Sequence, residues 1–258
     1  MGYTGQAVLP HFGALRPDQI TDTDCRDYLA KRIASGRKVG AVHTELGHLR
    51  SCMNWAVKRR LIDRAPYIER PNKPTPREVF LTRPEMARLI SSTTAPHATV
   101  ALTLLAGTAA RVGAILDLTW DRVDFDRSQI NLRLDDAMTR KGRAVVPMNG
   151  MVRGVLQTAH EAAISEFVVE HGGGPVKSIR TAFNAAKKRA DLDHVTIHDV
   201  RRSAARFMVE AGVPMDRVAQ MLGHSNTAMT EKVYGRFSPD HLQDAAEVLD
   251  FTRLRSVK

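Results

Sequence analysis

The sequence predicts a mostly α fold with one small antiparallel β-sheet, divided between two domains. Three observations carry this. The run RPNKPTPR at 70–77 holds three prolines among basic residues, so it continues neither a helix nor a central strand and separates a small first part from a larger second one. Apolar residues recur at three- and four-residue steps on both sides of that break. Alternation of apolar and polar residues flanks one basic turn around residues 139–143, which marks the sheet.

The elements follow in order. Thr21, with Asp22 and Asp24 behind it, reads as a helix cap with acids in the first turn. Val42, Leu46, Leu49, Met53 and Val57 make the apolar stripe of the next helix, while His43, Arg50, Lys58 and Arg59 fall on its other faces. For those cations, taken alone, a solvated helix face is the simplest account. Cys25 and Cys52 sit among apolar residues and read as two reduced core cysteines. After the linker, LTRPEMARLI opens a helix with Thr82 as cap, Pro84 in the first turn and Glu85 at the third position. A helix over 99–110 leads to Arg111 and a further turn over 112–118. Ile130, Leu132 and Leu134 alternate in a strand over 129–134, and 144–146 returns as a second strand stopped by Pro147. Helices are expected at about 151–165, 176–190, 198–211, 214–222 and 227–234, with Gly212 and Gly223 at their C-terminal caps. The expected limits are a helical domain over 1–69, a linker over 70–79 and a second domain over 80–258.

Composition narrows the function classes. Apolar residues make up 43% and charged residues 26%, a globular balance. No run approaches the roughly 20 apolar residues of a membrane span, and the start of the chain lacks a secretory pattern. The net charge is +10, which suggests a polyanionic partner. Residues 36–60 concentrate it, with 6 Lys or Arg against 1 acid.

Chemistry-bearing residues gather toward the C-terminal end. His198 and Arg201 share a helix face through their three-residue step, although a hydrogen-bonded core histidine beside a surface arginine explains that pair equally well. His194 and His198 have the spacing of a zinc pair but no third ligand nearby. Gly223 places His224 on a short connector, and Tyr234, one of 4 tyrosines, follows among polar and small residues rather than in an apolar stripe.

The stretch IHDVRRSAARFMVEAGVPMDRVAQMLGHSNTAMTEKVYGRFSP resembles the C-terminal signature of tyrosine recombinases, the phage integrase family: H-x-x-R, a helical stretch, L-G-H and a tyrosine about ten residues on. GTAARVGAILDLTWDRVDF resembles the family's first arginine box, and TRKGRAVVPM its β-hairpin lysine. The resemblance runs over nearly the whole chain. It implies a helical core-binding domain followed by an α+β catalytic domain, with the first helix of the core-binding fold expected to be missing and no separate arm-site domain. It implies a site-specific recombinase that acts on double-stranded DNA without cofactor, metal or ATP, in the cytoplasm and away from membranes, as a tetramer on DNA and a monomer or weak oligomer when free. Arg111 and Arg201 would fork onto a phosphate, His224 would add a hydrogen bond, and Tyr234 would attack phosphorus. His198 would assist removal of the phenolic proton, and Lys141 would protonate the leaving 5′-oxygen, with Arg140 as the competing register. Arg37, Lys38, His43, Arg50, Lys58, Arg59 and Arg140 are the expected DNA contacts, and residues 70–77 the hinge of a clamp. The segment 245–254 would dock on a neighbouring protomer. A topoisomerase IB-like relaxase and a DNA-binding protein that has lost activity are the competing readings. One departure is plain: the family's acid three residues after the first arginine is Ala114 here.

Overall fold

The computed structural model describes residues 2–75, 78–133, 144–224 and 227–235. The chain forms two compact units, Met1–Glu78 and Val79–Lys258.

Three helices build the first unit: α1 (Tyr3–Phe12), α2 (Asp22–Ala34) and α3 (Val39–Lys58). The sequence pattern does not announce α1, which carries Pro10 and no capping side chain. It is held by Val8 and Phe12, which pack with Cys25, Tyr28, Val42, Leu46 and Leu49. Thr21 caps α2 as expected, its hydroxyl accepting from the Asp24 amide while the Asp24 carboxylate receives the Thr21 N–H, so two otherwise orphan donors are satisfied. One polar group lies inside this core. Glu45 is buried and takes both Arg32 (2.6 Å) and the Tyr28 hydroxyl (2.8 Å). Arg32 is the main reason its carboxyl stays ionised below the usual range. Cys25 is buried but Cys52 is exposed, against the expectation of two core cysteines. Met53, beside it in sequence, turns inward while Cys52 turns to solvent.

The first half of the expected hinge lies along α3. His43 Nδ1 donates to the Pro71 carbonyl at 2.8 Å. A Cβ on Gly47 would come within 3.1 Å of the Arg70 guanidinium, and one on Gly40 within 3.2 Å of Pro74. Residues 70–74 therefore pack against the first unit through two glycines that leave them room.

The second unit is centred on α5 (Pro96–Thr108), whose Val100, Leu102, Leu104 and Leu105 are buried on all sides, as in a helix enclosed by others. Each such side chain contributes about 1.5–3 kcal/mol. Around it pack α4 (Arg83–Ser91), α6 (Val112–Leu116), α7 (Gly150–Glu161) and α9 (Ile197–Glu210). Thr82 and Glu85 form the expected capping box on α4. The three-stranded antiparallel sheet consists of β1 (Val123–Asp124), β2 (Gln129–Asn131) and β3 (Val145–Pro147), with Ile130 opposite Val146. β2 is shorter than expected, although Leu132 N still donates to Ala144 O. Pro147 is the last residue of β3, an edge strand where its missing N–H costs nothing. β1 and a second hairpin, β4 (Glu170–His171) with β5 (Gly174–Pro175), were not expected; two-residue strands leave no readable alternation. That hairpin displaces two helix limits. Ile164 N is drawn to the Glu170 carboxylate, so α7 ends at Glu161 rather than near 165. Val176 N pairs with Val169 O, so α8 (Arg180–Arg189) starts at 180 rather than 176.

α10 (Met215–Leu222) and α11 (Ala228–Tyr234) close the unit against α9. Gly212 (φ 74°) and Gly223 (φ 60°) take the left-handed conformation behind α9 and α10, the cap role expected of both. Among the described residues no helix is long and apolar enough to cross a membrane.

Candidate active site

The site is assembled from the ends of α5, α9 and α10. α5 stops at Ala109, a non-glycine residue in the left-handed region (φ 52°), and two residues later Arg111 becomes the N-cap of α6. That sharp exit turns Arg111, half-buried, into a cleft of about 680 Å³. α9 begins on a capping box in which the Asp199 carboxylate receives the Thr196 amide (2.9 Å) and hydroxyl (2.7 Å). This fixes the first turn, and the three-residue step then carries His198 and Arg201 to the same cleft.

Arg201 is 4% exposed. Its guanidinium donates to the Ala109 carbonyl at 2.6 Å and the Leu222 carbonyl at 2.9 Å, joining the ends of α5 and α10. Burial, with the nearby charge of Arg111, lowers its pKa to about 10, so it remains a cation at neutral pH. Arg201 also reaches His224 Nε2 at 3.3 Å. A guanidinium can only donate, so Nε2 accepts, and Nδ1 carries the hydrogen that goes to Thr230 Oγ1 at 2.8 Å. Burial and the charges of Arg201 and Arg111 push the His224 pKa down to about 4, which makes the ring neutral at pH 7. His198 stands at the open side of the cleft. Lost hydration first, then Arg201 and Arg202, hold its pKa below the ordinary histidine value, so it too is mainly uncharged at neutral pH.

Tyr234 ends α11 and is 4% exposed, its ring packed with Ala109, Ala204, Ala205, Val218 and Leu222. The local sequence pointed away from an apolar setting; the apolar partners come from α5, α9 and α10, which local sequence does not show. Burial raises its phenol pKa, while Arg201 and Arg202 pull the other way.

Five of the expected residues, Arg111, His198, Arg201, His224 and Tyr234, thus converge on one region. Lys141 and Arg140 lie outside the described residues, as does the segment 245–254. Ala114 is buried on the cleft wall, which also carries Asp117 one helical turn further on. Beside His194 and His198 no third metal-ligating side chain is gathered among the described residues. Of the expected DNA contacts, Arg37, Lys38, Arg50, Lys58 and Arg59 are exposed, with Arg37 over the Tyr3 ring and Arg59 over Trp55, both at 5.7 Å. His43 is half-buried and bonded to the linker. Sequence reasoning passed over Thr230, whose only signal is its place six residues after His224, and Arg180, which lines the cleft from α8.

Two guanidiniums, two imidazoles and a phenol are groups that can bind an anion and supply a nucleophile. The chain is 28% identical to an integrase of Streptomyces ambofaciens over 94% of its own length and 71% of that protein. With the tyrosine recombinase XerA of Pyrococcus horikoshii it shares 26% identity, over 88% of this chain and 80% of the other. In fold it is similar to the Tn1549 transposon integrase in complex with transposon right end DNA (TM-score 0.74, 17% identity, 91% of this chain and 88% of that one). It is similar also to a lambda integrase dimer bound to a COC′ core site (TM-score 0.68, 15% identity, 90% and 69%). Residues 80–241 match the Phage integrase family, and the chain belongs to that family.

Proposed function

We infer that this chain is a site-specific DNA recombinase that cleaves and rejoins strands through a 3′-phosphotyrosyl bond. The observation that carries the reading is the convergence of Arg111, His198 and Arg201 on one cleft, with His224 held against Arg201 and Tyr234 within electrostatic reach of it. Arg111 and Arg201 bind the non-bridging oxygens and stabilise the charge that builds on them as phosphorus is attacked. The Tyr234 oxygen forms a bond to phosphorus, the bond to the 5′-oxygen breaks, and the phenolic proton leaves with the help of His198, which is neutral and able to take it. Lys141 gives a proton to the departing 5′-oxygen. Attack by the 5′-hydroxyl of a partner strand reverses these steps and keeps the bond energy. The exposed cations around α3 hold duplex phosphates and set register.

The chain works on double-stranded DNA in the cytoplasm, as a tetramer when two duplexes are paired. Support for the assembly comes from lambda integrase, similar in fold here (TM-score 0.70) and solved as a tetramer bound to a Holliday junction. The test is adduct trapping on random duplexes. Wild-type protein should yield a covalent protein–DNA species on denaturing gels, and Tyr234→Phe should bind DNA equally well yet yield none. An adduct in that variant means another residue attacks.

A further inference from the structure

We propose that the cleft seats two consecutive phosphates of one DNA strand, and that Arg180 holds the one next to the scissile phosphate; this rests on the function inferred above. Arg180 is the first residue of α8 and lines the same cleft as Arg111 and Arg201. Its setting differs from theirs. Arg201 is buried and donates to two main-chain carbonyls. Arg180 is exposed, and among the described residues its guanidinium has no hydrogen-bond or ion-pair partner. Other cations of α8 are tied into the fold: Lys187 reaches the Asp193 carbonyl at 2.8 Å and Arg189 the Ser92 carbonyl at 2.7 Å.

Stability does not explain this residue. A cation in the first turn opposes the helix dipole, and α8 has no acid in that turn to offset it, whereas Lys187, Lys188 and Arg189 sit in the last turn where the dipole favours them. The cleft adds like charge from Arg111 and Arg201, with Asp117 the one acid among the described residues on its wall. An arginine set against the helix dipole and beside two other cations, with no partner for its guanidinium among the described residues, is suited to an anion from outside. The cleft, at about 680 Å³, has room for a second phosphate beside the one clasped by Arg111 and Arg201. The next phosphate along the strand is the anion that must accompany the first.

The affinity of Arg180→Ala, Arg180→Lys and Lys188→Ala for a random-sequence duplex is measured across salt concentration, which needs no cleavage. Loss of one phosphate contact reduces the magnitude of the slope of log K against log salt by about 0.9. That reduction is expected for Arg180→Ala, while Arg180→Lys and Lys188→Ala, whose side chain is exposed on α8 away from the cleft, keep the wild-type slope. An unchanged slope in Arg180→Ala, or an equal loss in Lys188→Ala, overturns the proposal. Single methylphosphonates are then walked along the strand of a duplex recovered by adduct trapping. Wild type should lose about 10-fold in affinity at the position beside the scissile phosphate, where Arg180→Ala should be indifferent. Indifference at the scissile phosphate itself would make Arg180 a third clamp on the reacting group and refute the assignment. Adduct formation by Tyr234→Phe tests the function separately, so either reading can fail alone.

Discussion

Arg201→Ala should destabilise the catalytic unit more than Arg111→Ala does, although both should abolish adduct formation. Arg201 is 4% exposed and donates to the carbonyls of Ala109 and Leu222. A hydrogen bond from a charged donor contributes about 1.5–3 kcal/mol, and truncation leaves two acceptors with poor access to water. Against this, removing a buried cation relieves its desolvation, which offsets part of the loss. The balance is about 2–4 kcal/mol of destabilisation. For a unit the size of Val79–Lys258, each kcal/mol moves the melting temperature by about 2–4 °C, so a fall of about 4–16 °C follows. Arg111 is half-buried where Arg201 is 4% exposed, so its truncation should lower the melting temperature less. Thermal unfolding followed by circular dichroism separates the two variants. If Arg201→Ala melts within 1 °C of wild type, the bonds to Ala109 and Leu222 do not join those helix ends, and the account of how the cleft is held together is wrong.

Three further outcomes are expected. The folded-state pKa of His224 is lowered to about 4, so the unfolded chain binds more protons between that value and the ordinary 6.5. Its contribution to stability is therefore complete above about pH 6.5 and lost as pH falls toward 4; urea unfolding of His224→Gln should show a shallower acid limb than wild type. Charge reversal at Lys58 and Arg59 should weaken duplex binding and flatten its salt dependence; an unaltered slope would remove α3 from the DNA-binding surface. Lys141→Ala should slow cleavage by roughly 10²–10⁴ on normal DNA yet be near wild type when sulfur replaces the bridging 5′-oxygen, because a thiolate leaves without a proton. Rescue of Arg140→Ala instead would move the general acid by one residue.

Local chemistry made part of this molecule legible in sequence. Thr21 and Thr82 announce their helices because a cap is made within four residues, and the Val42–Leu46–Leu49 stripe reads correctly because periodicity alone decides which face is buried. His198 and Arg201 were readable as partners for the same reason. What escaped depends on distant segments. α1 is held by packing of Val8 and Phe12 and has no capping signal. The β4–β5 hairpin shifts the limits of α7 and α8 through single bonds to Glu170 and Val169. The burial of Tyr234 comes from α5, α9 and α10, and no window around residue 234 contains them all. Arg201's attachment to Ala109 spans 92 residues, so its structural duty is invisible beside its expected chemical one.

The inward turn of Glu45 has a practical consequence. It is the single acid between residues 36 and 60, and Arg32 neutralises it inside the fold. That stretch consequently shows solvent six cations and no carboxylate. Such a surface behaves as a miniature anion exchanger. It should retain the protein on heparin resin well past the salt at which a molecule with interleaved charges elutes, and carry host nucleic acid through purification unless ionic strength is kept high.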